Sequence, residues 1–251
     1  MSGTATVHAS VAPMHAEARV SSVQISQRLG GHVVEVLHAD GDWLHVRGGD
    51  GYEGWMHRGY LDLAAPRGPE GARRLSLGCT VCDASGRPRA LPLGAWLGPG
   101  EREVAGEAID EGDMPNVFPR DAARLAATAV ERFSGTPYQW GGVSPWGADC
   151  SGIVQTVFWL HGVVLPRDAW QQAETGVDAG LDFRRWMPAD LAFFSDRIDR
   201  RITHVGIALG DAGMVHLALG RGGYAVERLD AGDDPYVSAL MTRVVCARRV
   251  L

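Results

Sequence analysis

The stretch Tyr138-Gln-Trp-Gly-Gly-Val-Ser-Pro-Trp-Gly-Ala-Asp-Cys-Ser-Gly152 carries a cysteine directly behind an acidic residue, and Ile153, Val154, Val157, Phe158 and His161 continue from it at helical spacing. Asp149 is therefore placed to cap a helix that Cys150 opens, with the thiol on the inward face. Gly162 is the expected stop. Downstream, two histidines sit in strand-like segments, Thr203-His204-Val-Gly-Ile-Ala208 and Met214-Val-His216-Leu-Ala218. The intervening Gly210-Asp-Ala-Gly213 reads as a hairpin turn, which sets both imidazoles on neighbouring antiparallel strands. A cysteine nucleophile needs a thiol at a helix start, a base and an orienting partner. One cysteine on a helix, or one histidine in a strand, reads as core; the three in this order point to catalysis.

A thiol is mostly protonated at neutral pH, and the unsatisfied N–H groups of a helix start favour its thiolate. The same groups can hold the oxyanion of acyl transfer, worth about 3 kcal/mol per donor. Ser151 and Gly152 keep that first turn small, so a substrate carbonyl can approach. The charge of Asp149 opposes thiolate formation, and its role is capping, with substrate contact as a second assignment. Spacing alone leaves open which of His204 and His216 takes the proton and which orients.

Around this segment the pattern changes twice. Residues 1–66 alternate short strands with Gly/Asp turns: Val33–Leu37, a turn at Asp40-Gly-Asp42, Trp43–Val46, a turn at Gly48–Gly51, then Tyr52–Trp55. That rhythm predicts a small β-barrel. Pro66, Gly68, Pro69 and Gly71 mark a boundary. Apolar residues at 75, 77, 79 and 81 then repeat with period two, and Gly41-Asp-Trp-Leu44 recurs loosely as Gly94-Ala-Trp-Leu97. A second, divergent barrel over 67–118 is expected. From 119 to 251 two helices, the first capped by Asp121 with Leu125, Ala129, Val130 and Phe133 on one face, precede a run of strands. These are Leu191–Ser195, His204–Leu209, Met214–Leu219, Tyr224–Leu229 and Val244–Ala247, an α+β layout with an antiparallel meander.

Composition narrows the function. Lys+Arg number 24 against Asp+Glu 30, a net charge of −6 that argues against nucleic acid or an anionic membrane as partner. No apolar run approaches the roughly 20 residues that span a bilayer, and the N-terminus shows no secretory pattern, so the expected compartment is the cytoplasm. Four cysteines offer no disulfide framework. Cys79-Thr-Val-Cys82 has CxxC spacing but lies in a strand pattern without a second pair, so neither metal nor cofactor is expected. Cys246 reads as core, His32, His38 and His45 as surface residues, and Trp140 and Trp146 as flanks of a cleft.

The segment from about 119 to 251 resembles the NlpC/p60 family of cell-wall cysteine peptidases, a papain-like fold. The likeness rests on Tyr138-Gln-Trp-Gly-Gly142, Gly147-Ala-Asp-Cys-Ser-Gly152, Leu165-Pro-Arg-Asp168, His204-Val-Gly206 and Val215-His216. It implies Cys150 as nucleophile, His204 as base and His216 as orienting residue, with Tyr138 near the oxyanion site. The first segment resembles a bacterial SH3 (SH3b) domain through Gly41-Asp-Trp43 and Asp50-Gly-Tyr-Glu-Gly-Trp55. The whole chain is similar to γ-D-glutamyl-L-diamino acid endopeptidases with two such domains ahead of the catalytic one. That subgroup implies a peptidoglycan-derived peptide as substrate, with Asp168 binding the free amine of L-Ala-γ-D-Glu. A carboxylate facing an ammonium in a partly desolvated cleft selects a free N-terminus. The plainer reading has Asp168 pair with Arg167 or cap the next helix. Substrate contacts are further expected from Ser151, Asp149 and, on the SH3b wall, Tyr60. Where the subgroup has serine after the aspartate, this chain has Ala169.

The expected activity is cleavage of the γ-D-glutamyl-diamino acid amide through a thioester, in recycling of small muropeptides. Its rivals are a wall-lytic endopeptidase on intact peptidoglycan, an acyltransferase, and a non-catalytic wall-binding protein.

Overall fold

The structure is a computed structural model that describes residues 3–64 and 73–251. The boundary expected at Pro66, Gly68, Pro69 and Gly71 lies outside the described residues. The chain divides into two compact units, Met1–Met114 and Pro115–Leu251.

In the first unit, β1 (Gly3–Val7), β2 (Val11–His15), β3 (Gln24–Leu29), β4 (Val33–Asp40), β5 (Trp43–Arg47), β6 (Glu53–His57) and β7 (Leu61–Asp62) form one sheet. Its order is β3-β2-β6-β5-β4-β1-β7, all pairs antiparallel. Alternation decides the register. Ala5, Val7, Ala12, Met14, Val34, Val36, Leu44, Val46 and Met56 point inward and form one core. The outer face is clad in rings: His38 stacks on His45 at 4.8 Å, and Trp55 meets both.

β8 (Arg74–Cys82), β9 (Pro88–Leu91) and β10 (Arg102–Asp110) follow as a three-stranded sheet in the order β10-β8-β9. It is fastened to the first sheet at Gly30-Gly31. The Trp96 amide donates to the Gly30 carbonyl at 2.8 Å, and a Cβ on Gly31 would fall 2.6 Å from Trp96. Gly31 also has a φ of +74°, so both space and conformation require glycine. His32 is not a free surface residue as its strand–turn spacing suggested. Its Nε2 lies 3.0 Å from the Gly94 carbonyl, and burial pushes its pKa down to about 4.

α1 (Met114–Val117) begins on the last residue of the first unit, and the second unit then holds α2 (Ala122–Phe133), β11 (Val143–Ser144), β12 (Gly147–Ala148), α3 (Cys150–Leu160), α4 (Ala169–Gln172), β13 (Val177–Asp178), β14 (Leu191–Phe194), β15 (His204–Gly210), β16 (Gly213–Ala218), β17 (Gly223–Arg228), α5 (Pro235–Met241) and β18 (Val244–Arg249). α2 begins where Asp121 accepts from the Arg124 amide, and its buried residues include Leu125, Ala126, Ala129 and Phe133. α3 packs against α2, β15 and β16. The six-stranded sheet runs β13-β18-β14-β15-β16-β17. β14 to β17 are the expected meander, but β18 returns beside β14, with α5 inserted before it. α5 starts at Asp234, whose side chain accepts from the Tyr236 and Val237 amides, with Pro235 as its first residue. Among the described residues, no helix is long and apolar enough to cross a membrane.

His32 gives a test of the junction between the two small sheets. The folded state keeps this ring neutral, so between pH 6.5 and about 4 the unfolded chain binds a proton that the folded chain refuses. Its contribution is complete above that window and declines as pH falls through it. Thermal unfolding of wild type and His32→Gln at pH 7 and pH 4.5 should show a smaller acid-induced drop in Tm for the variant. Equal drops would mean that His32 titrates normally.

Candidate active site

α3 starts at Cys150 because Asp149, in extended conformation at φ −101° and ψ 178°, accepts from the Gly152 amide at 2.8 Å. Asp149 does more than cap. Its Oδ2 accepts from the Gly141 amide at 2.8 Å and from Arg167 Nη2 at 2.7 Å; its Oδ1 accepts from Arg167 Nη1 at 3.1 Å and from the Ser151 hydroxyl at 3.2 Å. Arg167 also donates to Ser151 Oγ at 2.8 Å, and its side chain is 1% exposed. Five donors saturate both carboxylate oxygens. Glycine is required at two points here, since a Cβ on Gly142 would lie 2.3 Å from the Gly147 carbonyl. A Cβ on Gly152 would lie 2.0 Å from the Gly142 carbonyl, so the helix start and the preceding loop touch backbone to backbone.

The thiol at the head of this helix is buried. The Val205 and Ser151 backbone groups hydrogen-bond to it and, with the Arg167 charge, lower its pKa; burial and then the Asp149 charge outweigh them and push it up to about 12. Val205 follows His204 on β15, so the sulfur lies against the backbone beside that histidine. Among the described residues no hydrogen bond joins the thiol to the His204 ring.

The two histidines meet across a tight hairpin. β15 and β16 are joined by Asp211 and Ala212, both at positive φ (+46° and +59°), between paired Gly210 and Gly213. Two such residues match a type I′ turn. His204 Nε2 lies 2.8 Å from His216 Nδ1, with ring centroids 5.0 Å apart. Burial, then His216, pushes His204 down to about 3, so the ring rests neutral. Beyond it, His216 Nε2 lies 3.4 Å from Glu227 Oε1, and Glu227 is paired with Arg221 at 2.7 and 2.9 Å.

Tyr138 is half-buried. Burial and then the charges at Cys150 and Asp149 raise its hydroxyl pKa, which sets the phenol in the electrostatic reach of the sulfur. Asp168 stands at the N-cap position of α4, but its side chain makes no capping bond there. The Arg167 terminal nitrogens go to Asp149, Ser151 and the Gly142 carbonyl. Gln172 Nε2, on the same helix, donates to the Ser151 carbonyl at 3.1 Å and ties α4 to the start of α3. Trp140 and Trp146 are 62% and 50% exposed. Tyr60 belongs to the first unit, packed against that unit's core. Cys79, Cys82 and Cys246 are free, and no three His, Cys, Asp or Glu side chains among the described residues are grouped to hold a metal.

Two groups escaped the sequence reading. Arg167 was visible in the Pro-Arg-Asp run, yet nothing local tells that it reaches back to Asp149. Glu227 gave one faint sign, an acidic residue inside a strand. Its spacing from His216 has meaning only once the register of β16 and β17 is known.

Comparison with known proteins points to one family for the peptidase region. Residues 135–243 match the model of the NlpC/P60 family, and residues 10–62 match the bacterial SH3 domain. A gamma-D-glutamyl-L-lysine dipeptidyl-peptidase of Bacillus cereus is 27% identical over 236 residues, covering 76% of this chain and 66% of the relative. The chain thus spans just under two thirds of that relative's length. The probable endopeptidase NlpC of Escherichia coli is 31% identical over 123 residues, 47% of this chain and 79% of that protein. A solved NlpC/P60 family protein from Bacillus cereus shares the fold with a TM-score of 0.79 at 21% identity, covering 99% of this chain and all of its own.

The ion pair beneath the helix start predicts a large mutational effect. Arg167→Ala leaves a buried carboxylate without its counter-charge, which costs about 3–5 kcal/mol. Urea unfolding should report that loss, with Arg167→Lys recovering only part because one ammonium cannot replace the planar fork. A loss below about 1 kcal/mol, typical of exposed pairs, would contradict the role.

Proposed function

The chain belongs to the NlpC/P60 family, with a bacterial SH3 domain ahead of the peptidase region, and from that premise we propose that it hydrolyses the γ-D-glutamyl-L-diamino acid bond of peptidoglycan-derived peptides bearing a free N-terminal L-Ala. One observation carries the reading. The thiol of Cys150 sits at the head of α3 against the backbone of Val205, the residue after a histidine whose Nε2 is held 2.8 Å from a second histidine.

In this reading Cys150 Sγ attacks the γ-carbonyl of D-glutamate and its proton passes to His204. Hydrogen bonds of this kind commonly tighten only once substrate is bound. Backbone N–H groups at the start of α3 and the Tyr138 hydroxyl hold the oxyanion. His204 then protonates the departing amine of the diamino acid, leaving L-Ala-γ-D-Glu as a thioester on Cys150. Water, deprotonated by His204, hydrolyses the thioester and restores the thiol. His216 orients His204. Asp168 pairs with the free amine of L-Ala. We assign Asp149 and Ser151 to building the helix start rather than to touching substrate, since Asp149 is saturated and the Ser151 hydroxyl is engaged on both sides. Residues 67–118 are read as a second, divergent SH3-like domain between 1–66 and the catalytic region at 119–251. Selection of a free amine fits recycling of small peptides in the cytoplasm better than attack on intact wall.

Incubation with L-Ala-γ-D-Glu-diaminopimelate or its lysine counterpart should release the free diamino acid, Cys150→Ala should release none, and N-acetylation of the substrate should stop turnover. Asp168→Asn should raise KM about 10- to 100-fold, the worth of one charge-assisted hydrogen bond. Cleavage of the acetylated peptide, or of intact sacculi at equal rate, would favour a wall-lytic enzyme instead.

The pH profile is a separate test. The depressed pKa of His204, about 3 against an ordinary 6.5, keeps the base unprotonated well into the acid range. kcat/KM should therefore hold through pH 6.5 and fall only at lower pH. An acid limb centred near 6.5 would contradict a buried neutral base.

A further inference from the structure

Glu227 stands on β17, where its Cα faces Met214 while Ala225 faces His216. Its side chain is 6% exposed and reaches toward the buried ring of His216. One carboxylate oxygen, Oε1, is shared between His216 Nε2 at 3.4 Å and Arg221 Nε at 2.7 Å; Oε2 takes Arg221 Nη2 at 2.9 Å. The same guanidinium reaches Asp234 Oδ2 at 2.6 Å and lies over the Tyr236 ring, 4.2 Å from its centroid. The hydrogen bond from His216 and the pairing with Arg221 hold the Glu227 carboxyl near 2, so it is ionised at any working pH.

A carboxylate only accepts. His216 Nε2 must therefore carry a hydrogen, and in a neutral imidazole its Nδ1 is then bare. A bare Nδ1 at 2.8 Å from His204 Nε2 needs a donor, so the hydrogen of His204 also sits on Nε2. His204 is left with an unprotonated Nδ1, the one nitrogen free to take a proton. We propose that Glu227 is a positioning residue that sets the tautomers of both histidines and so directs the basic nitrogen of His204 to its substrate-side task. The inference rests on the peptidase reading only for that task; with one hydrogen on each ring, the tautomer order itself follows from the hydrogen-bond geometry. During attack the proton arrives at His204 Nδ1, and the imidazolium shares its Nε2 hydrogen with His216, whose own Nε2–H rests on the Glu227 anion. Positive charge created at the base is thereby answered within the same chain of contacts.

Glu227→Gln removes the charge at constant shape and offers His216 an amide that can donate as well as accept. Asp234→Asn is the control, breaking the outer link of Arg221 while leaving Glu227 against His216. Long-range ¹H–¹⁵N spectra of the histidine rings should show Nε2–H on both His204 and His216 in wild type and Asp234→Asn, and a mixture with Nδ1–H in Glu227→Gln. kcat on the peptide substrate should fall about 10- to 100-fold in Glu227→Gln with KM within about threefold, and stay within twofold in Asp234→Asn. If Glu227→Gln does not fold, Glu227→Asp, which keeps the charge but retracts it, should show the same tautomer mixture. Unchanged Nε2–H signals in a folded Glu227 variant, or equal losses in Glu227→Gln and Asp234→Asn, would overturn the assignment. The spectra are read without substrate, so they decide the tautomers even if the peptide proves not to be cleaved.

Discussion

One buried carboxylate organises the start of α3. Asp149 receives the amides of Gly141 and Gly152, the hydroxyl of Ser151 and two nitrogens of Arg167, and so joins the loop before the helix, the helix itself and the Pro-Arg-Asp segment after it. An N-cap alone is worth about 1 kcal/mol. A buried ion pair is a different kind of object: it gains little net stability over a well-packed apolar pair, but either charge left alone is very costly. Such an arrangement is better at specifying one geometry than at stabilising the fold. Here the specified geometry is a thiol at a helix start beside β15.

The electrostatics of the site then divide between two halves. On the sulfur side, burial and Asp149 raise the thiol while the Val205 and Ser151 backbone groups and Arg167 pull against them. On the imidazole side, burial keeps His204 neutral while Glu227, two contacts away, stays anionic. A resting thiol beside a resting imidazole carries no charge that the apolar surroundings must tolerate. In the proposed reaction charge separation is deferred until attack, when the helix-start amides and the Glu227 anion would each face the charge that develops.

Much of this was legible in the chain because the signals were local. Asp149 before an apolar helical run announced the helix and its first residue. Gly210-Asp-Ala-Gly213 announced the turn that joins the two histidine strands, although the positive φ falls on Asp211 and Ala212 as well as on Gly210. The Asp234-Pro235 pair is an equally local helix start for α5, set among strand signals. What stayed hidden depends on register or on long reach. Glu227 meets His216 only through the pairing of β16 with β17, and Arg167 reaches Asp149 across a whole helix and loop. His32 looked like a surface residue because its partner, the Gly94 carbonyl, comes from the turn after β9, distant along the chain. The second small sheet gives only three strands among the described residues, and its loose Gly-Ala-Trp-Leu likeness to the first resolves into turns at Gly41 and Gly94, both at positive φ, with Trp43 in a strand and Trp96 in a single bridge.

The proposed reaction turns on one bond, between the sulfur at the head of α3 and the γ-glutamyl carbon of the substrate. Rapid acid quench of enzyme mixed with L-Ala-γ-D-Glu-diaminopimelate, followed by peptide mass spectrometry, reads that bond directly. The expected result is an L-Ala-γ-D-Glu adduct, labile to hydroxylamine, on the peptide containing Cys150. Turnover with no adduct on any cysteine, or an adduct on Cys79, Cys82 or Cys246 with Cys150 unmodified, would contradict it.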